Sequence, residues 1–317
     1  MGQHQRISLA DFTMRLDASV GCLSRQAARV WGDTRAPDIV VEVGTGMESC
    51  LASKCVDGTE LHKLPPLPYA DVTGFPFPSN AAGNAVAESP QVRLAEIGGK
   101  RVVFLTQRMQ VSDGFSPHDV VHPLRTMLRW GVKQVILVSS CGALCHDREL
   151  RPGTAVLIKD HFTLFCGDQN PLRGFEHTKQ WPVHLGMTEP YASKMRKIAV
   201  VAHGKIDADL RKVMPLQESG MLVAVPGPTF ESAHERAALR QFGSIVGTSL
   251  WNGAIAARHM GCHELFAIAL VSGNSGETRT RDDVKQKAHV AHAALSAWLI
   301  ETITRLPRPE DMIVAAA

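Results

Sequence analysis

Long apolar runs are missing from this chain of 317 residues. The longest, such as Leu265 to Val271, fall well short of the roughly 18 residues that a membrane-spanning helix needs, so no membrane partner is expected. A dominant charge is missing as well. The 34 Lys and Arg against 31 Asp and Glu leave a formal +3, too small and too evenly spread for a nucleic-acid footprint or a polybasic lipid patch. Partners are therefore sought in pockets, with no nucleic acid among them. The cysteines, seven at irregular spacing, lack the even count of a disulfide framework and point to a reducing compartment. No apolar signal core follows Met1; Arg6, Arg15, Arg25 and Arg29 could form an amphipathic transit segment, but Asp11 and Asp17 interrupt it, and the stretch reads better as the first helix of the fold. The expectation is a cytoplasmic protein, with mitochondrial import as the alternative. Repeats, low-complexity blocks and Pro/Gly/Ser linkers are absent too. Residues 1–317 therefore read as one domain, with an N-terminal helix region at 1–35 and a peripheral tail at 306–317.

What is present is an alternation. A 44% hydrophobic, 21% charged composition excludes intrinsic disorder. Short β-branched runs at Ile39 to Val43, Val102 to Leu105, Val135 to Val138, Ala155 to Ile158, Met221 to Val225 and Leu265 to Val271 predict strands separated by amphipathic segments, hence an α/β fold. Val120, Val121, Leu124, Met127 and Leu128 share one helical face, which places Pro123 in a first turn. Val284, Ala288, Ala291, Leu295, Trp298 and Leu299 again recur at helical spacing.

Several stretches carry candidate chemistry. His118-Asp-Val-Val-His122 has the histidine spacing of a zinc-hydrolase helix, with Asp in place of Glu; the alternative is that both rings flank the stripe of a packing helix. Cys141-Gly-Ala-Leu-Cys145-His146 groups three soft ligands but lacks the knuckle and fourth ligand of a zinc site, so no metal is expected. Anion chemistry is better represented. The turn Val43-Gly-Thr-Gly-Met-Glu-Ser49 follows an apolar strand and offers backbone N–H groups and a hydroxyl. Arg108 and Gln110 follow the strand ending at Leu105, and Val246-Gly-Thr-Ser249 precedes a helix around Ala254 to His259. Three such turns at strand ends suggest one anion site, because ligands of α/β sheets gather there.

The order of these motifs, with two more specific ones, resembles the trimeric-type purine nucleoside phosphorylases from about Ile39 to Val290. Gly167-Asp-Gln-Asn-Pro-Leu-Arg-Gly174, preceded by Leu157-Ile-Lys-Asp-His161, is close to the family's GQNPLRG. Gly227-Pro-Thr-Phe230-Glu231-Ser232, followed by Glu235-Arg and Gly243, is similar to its GPSFET region. The resemblance implies a three-layer α/β/α fold with a central mixed, partly barrel-like sheet. It also implies attack of inorganic phosphate on the anomeric carbon of a purine nucleoside through an oxocarbenium-like transition state. Phosphate is then a co-substrate, no metal or organic cofactor is needed, and a homotrimer is expected.

Residue by residue, the resemblance assigns phosphate to Thr45, Asn84, Arg108, Gln110, Ser140 and Ser249. It assigns the nucleoside to Ser139, Phe230, Glu231, Thr248 and Gly273, and to Trp181 reaching across a subunit boundary. Glu231 accepts from the purine N1–H, Asn274 or Gly273 stands where the family places a donor to N7, and His289 matches a histidine that reaches the 5′-hydroxyl. The departures are chemical. Asn84 and Gln110 replace family histidines, Ser139-Ser140-Cys141-Gly142 replaces NAAG, Ser112-Asp113 replaces Tyr-Glu, and Thr248 replaces Met. Removing an electrostatic donor costs roughly 10² to 10³ in rate, so altered specificity or a reduced rate is expected. The alternative is a catalytically degraded homologue serving as a structural subunit of a larger assembly. Arg108 could also simply pair with Asp113, and Glu231 could cap the helix after it.

Overall fold

In the computed structural model, which describes residues 7–47, 51, 65–79, 89–144, 150–273 and 291–314, the fully buried strand β1 (Ile39–Val43) organises the sheet. It lies parallel to β4 (Lys100–Leu105) on one side and to β5 (Gln134–Ala143) on the other. A parallel strand covered on both faces is written as a continuous apolar run, and here the run is interrupted once, by Glu42. The short β2 (Leu67–Pro68) and β3 (Gln91–Ile97) continue the sheet antiparallel beyond β4. On the far side of β5 come β8 (Ile245–Gly247), β7 (Leu216–Ala224), β6 (Ala155–Phe162) and β9 (Glu264–Gly273). β9 returns to pair with β5 in parallel, so five strands close a mixed barrel at one end of an open sheet.

Two layers of helix cover this sheet because β1 alternates. Val40 belongs to a core with Leu23 and Ala27 of α1 (Leu9–Trp31), Leu124 and Met127 of α2 (Pro117–Trp130), and Trp251 and Ala254 of α6 (Trp251–His259). Ile39, Val41 and Val43 face the opposite core with Met195 and Ala199 of α3 (Ser193–His203) and Leu295, Trp298 and Leu299 of α7 (His292–Arg305). α4 (Ala208–Val213) and α5 (Ala233–Leu239) flank β7 in sequence. All six expected strands and the α/β/α layering are present.

Two expectations change. α2 starts at Pro117 under a Ser116 cap whose hydroxyl accepts from the Asp119 amide, so Pro123 lies inside the helix rather than in its first turn. The tail is not wholly peripheral: Leu306 is buried, the Pro307 carbonyl accepts from Gln134 Nε2 at 3.0 Å, and Pro309–Val314 forms α8. Val284 and Ala288 lie outside the described residues. Among those residues no helix is long and apolar enough to cross a membrane, and no group of three or more His, Cys, Asp or Glu is placed to hold a metal.

Candidate active site

The carboxyl ends of β1 and β4 lie side by side in register, and the turns leaving them are tied together. Arg108 donates its amide to the Val43 carbonyl at 3.2 Å, and Thr45 Oγ1 donates to the Arg108 carbonyl at 3.1 Å. Ser139, on the neighbouring β5, shares a buried hydrogen bond of 3.0 Å with Ser249 at the threshold of α6. Gly44 has no side chain for a reason of space: a Cβ there would come within 2.8 Å of Ser139 Oγ. Thr45, Arg108, Ser139 and Ser249 are thus one cluster. Two of the three non-glycine residues with positive φ among the described residues flank it, Gln107 at 54° and Leu250 at 76°. Backbone held in such regions marks sites that the surrounding structure over-determines.

Arg108 is buried, and its partner is Glu42. Nε lies 2.9 Å from Glu42 Oε2, with side-chain exposures of 1% and 4%, and Nη2 donates to the Glu42 carbonyl at 3.3 Å. Pairing with Asp113, the simple alternative from sequence, is therefore not what this arginine does. Gly253 of α6 packs over the pair; a Cβ there would come 3.1 Å from Leu137 and 3.4 Å from Glu42 Oε2. Tyr69 lies close enough to feel both charges. Its phenol is pushed well above the usual range, first by burial and then by the Glu42 carboxylate, against the pull of Arg108. Sequence reading missed Glu42, although one signal was present: an acid alone in a strand whose other four residues are apolar.

A second group forms the adjoining wall. Thr248 Oγ1 donates to Gln110 Oε1 at a long 3.4 Å. Gly227, at φ 64°, brings its backbone so close that a side chain would meet Thr248 Cγ2 at 3.1 Å. From there the chain runs along a cavity of about 360 Å³ lined by Phe165, Gly227, Phe230 and Glu231. Phe230 is 46% exposed. Ser232, not Glu231, caps α5, in a reciprocal capping box with Glu235. The Glu231 carboxylate is left with no hydrogen bond or ion pair among the described residues and lines the cavity. Gln169 Nε2 donates to the Pro226 carbonyl at 3.2 Å, which ties the Gly167–Gly174 loop to this wall.

Of the remaining expected residues, Ser140 is half-buried on β5, and its carbonyl lies 3.9 Å from where a Cβ on Gly247 would stand. Gly273 ends β9 beside Gly142. Asn84, Asn274 and His289 lie outside the described residues. Within the chain Trp181 packs edge-on to Phe12 at 5.5 Å and against His259 at 5.5 Å, in the small core beneath α1. The histidine pair of α2 makes structural contacts. His118 bonds the Arg173 carbonyl at 2.8 Å, and His122 meets Ser19 Oγ at 3.1 Å.

Comparison with known proteins finds relatives over most of the chain. A family model described as the phosphorylase superfamily matches residues 55–304. The purine nucleoside phosphorylase of Mycobacterium leprae is 30% identical over 295 residues, covering 89% of this chain and 96% of its own. That of Mus musculus is 30% identical over 240 residues, covering 74% and 75%. Among solved structures, the purine nucleoside phosphorylase of Schistosoma mansoni in complex with inosine superposes with a TM-score of 0.75 at 23% identity, covering 92% of this chain and 97% of the other, a likeness of fold.

Proposed function

The chain belongs to the phosphorylase superfamily and, within it, to the purine nucleoside phosphorylases, which are pentosyltransferases; on that footing we propose that it cleaves purine nucleosides with inorganic phosphate. The products are the free base and ribose or deoxyribose 1-phosphate. The observation that carries this reading is the adjacency of two unlike surfaces: hydroxyls and a guanidinium at Thr45, Arg108, Ser139 and Ser249, and an aromatic wall with a free carboxylate at Phe230 and Glu231. Phosphate held at the first surface forms a C1′–O bond as the C1′–N9 bond breaks, the electron pair leaving with the purine. Glu231 holds the base by its N1–H while charge moves onto the ring. Electrostatic donors that strengthen in the transition state contribute most to such a step.

Gln110 and Thr248 support a specificity or rate different from the relatives', since a neutral amide and a hydroxyl meet each other at the seam between the two surfaces. Self-association, with a homotrimer as the expected form, is supported by apolar side chains beside the cavity: Leu164 is 78% exposed and Phe165 48%. Location in the cytoplasm completes the proposal. The test is release of free base from a panel of purine nucleosides with and without phosphate, alongside nucleoside binding by calorimetry and mass by light scattering. Phosphate-dependent base release is expected. No purine binding at millimolar concentration would turn the reading to a degraded homologue that serves as an assembly subunit.

A further inference from the structure

An acid in the middle of a buried parallel strand needs an explanation, because a charge out of water costs several kcal/mol unless it is well paired. Glu42 stands on the Val40 face of β1, where a branched apolar residue would serve the core, and it meets Arg108. A guanidinium at a strand end suits an anion because it presents parallel N–H groups to two oxygens. Here Nε is committed to the Glu42 carboxylate and Nη2 to the Glu42 carbonyl. Among the described residues neither Nε nor Nη1 makes a hydrogen bond: Nε faces Glu42 Oε2 as an ion pair, and Nη1 has no ion-pair partner either. The cation of the anion site is therefore already neutralised from within the chain, while the Thr45 hydroxyl bonds the Arg108 backbone carbonyl and the hydroxyls of Ser139 and Ser249 bond each other on the neighbouring strand end.

We propose that Glu42 is the residue that sets the affinity of this site for phosphate, by competing with the incoming anion for Arg108 and by repelling it. Resting on the reading of the cluster as a phosphate site, this makes Glu42 a positioning residue rather than a catalytic one. The isosteric substitution Glu42→Gln keeps the volume and a hydrogen-bonding oxygen for Arg108 but removes the charge. Like charges a few ångströms apart in a buried site interact strongly enough to change affinity by about ten-fold or more.

The test is the dissociation constant of inorganic phosphate, by calorimetry and by thermal shift, for wild type and Glu42→Gln, with steady-state kinetics beside it. Phosphate is expected to bind about ten-fold or more tighter to the variant, its KM falling to match, while the KM for the nucleoside stays within about two-fold. Phosphate binding that is unchanged, weakened or undetectable in both proteins overturns the proposal. Glu42→Asp retains the charge and withdraws it by one methylene. It is expected to fall between the two, and provides the same measurement if the Gln variant does not accumulate as folded protein. Because phosphate affinity is read without turnover, failure here is separate from failure of the proposed reaction, which would appear as no base release from either protein.

Discussion

Two arginines are buried among the described residues, and they are held in opposite ways. Arg108, in the turn after β4, meets a carboxylate and a backbone carbonyl, both of Glu42. Arg125, in the middle of α2, meets no acid among the described residues. Its Nη2 donates to the Pro171 carbonyl at 3.0 Å, and its guanidinium lies over the rings of Phe12 at 5.3 Å and Phe175 at 4.9 Å. Burial alone pushes Arg125 down to about 9. The first arrangement pairs a cation with an acid beneath the strand ends, where the proposed phosphate site lies; the second uses a cation as a strut beneath the Gly167–Gly174 loop. Burial by itself does not distinguish a binding arginine from a structural one, whereas the partners do.

The largest expected effect breaks the first arrangement. Arg108→Met should abolish saturable phosphate binding in calorimetry and strand Glu42 in the core, at a cost of about 3–5 kcal/mol in chemical denaturation. The double change Glu42→Leu with Arg108→Met removes both charges and should recover most of that stability without recovering phosphate. Equal phosphate binding by wild type and Arg108→Met would remove this residue from the anion site.

Acid provides the next effect, and it belongs mainly to the Arg125 side. Burial pushes His122 and His259 down to about 3, helped by Arg15 and Arg125 respectively, and His118 down to about 4. Each binds protons more readily unfolded than folded. Their stabilisation is therefore complete above about pH 6.5 and is lost as pH falls towards 3–4. Each of the two most buried, His122 and His259, removes about 1.4 kcal/mol per pH unit within that window. Urea midpoints between pH 7 and 4.5 should fall steeply; a flat profile would mean that these rings are hydrated.

The base side of the site sharpens the contrast. Glu231→Ala should weaken binding of a purine nucleoside by about 10- to 100-fold, the range for a charge-assisted hydrogen bond. Phosphate affinity and unfolding midpoint should hardly move, since Glu231 neither caps α5 nor pairs with another residue among those described. Purine binding that survives intact would place the base elsewhere.

Legibility followed the same division between local and distant determinants. The six β-branched runs became strands because a doubly covered parallel strand must be apolar throughout, a property of consecutive residues. β3 was not marked by such a run because polar Gln91, Arg93 and Glu96 are interspersed along it. Closure of the barrel by β9 on β5 joins residues more than a hundred positions apart, which no local pattern encodes. At the site, Thr45, Arg108 and Ser249 were legible as turns after strands, but the Glu42–Arg108 pair was not, because one partner sits inside β1 and the other in the turn after β4. The packing of Trp181 on Phe12 and His259 was not legible either, because motif order gives a residue's neighbourhood along the chain and says nothing about which apolar surface is nearest.

The smallest expected effect is the same substitution made at the other arginine. Arg125→Met leaves the Pro171 carbonyl without its donor, about 1–2 kcal/mol, and gives up two cation–π contacts of about 0.5–1 kcal/mol each. Against this it relieves the desolvation of a guanidinium that has no acid to repay it, a term of several kcal/mol that an apolar side chain of similar length does not incur. The sum should lie within about 1 kcal/mol of zero, far from the cost at Arg108, with phosphate affinity unchanged. A second readout separates this cancellation from simple tolerance. The charge on Arg125 helps hold His118 and His259 below their ordinary value, so its removal should raise both in an NMR titration. A smaller gap between folded and unfolded values should in turn move acid unfolding to lower pH. If Arg125→Met costs as much as Arg108→Met, the strut depends on the guanidinium's own bonds, and the contrast between the two arginines fails.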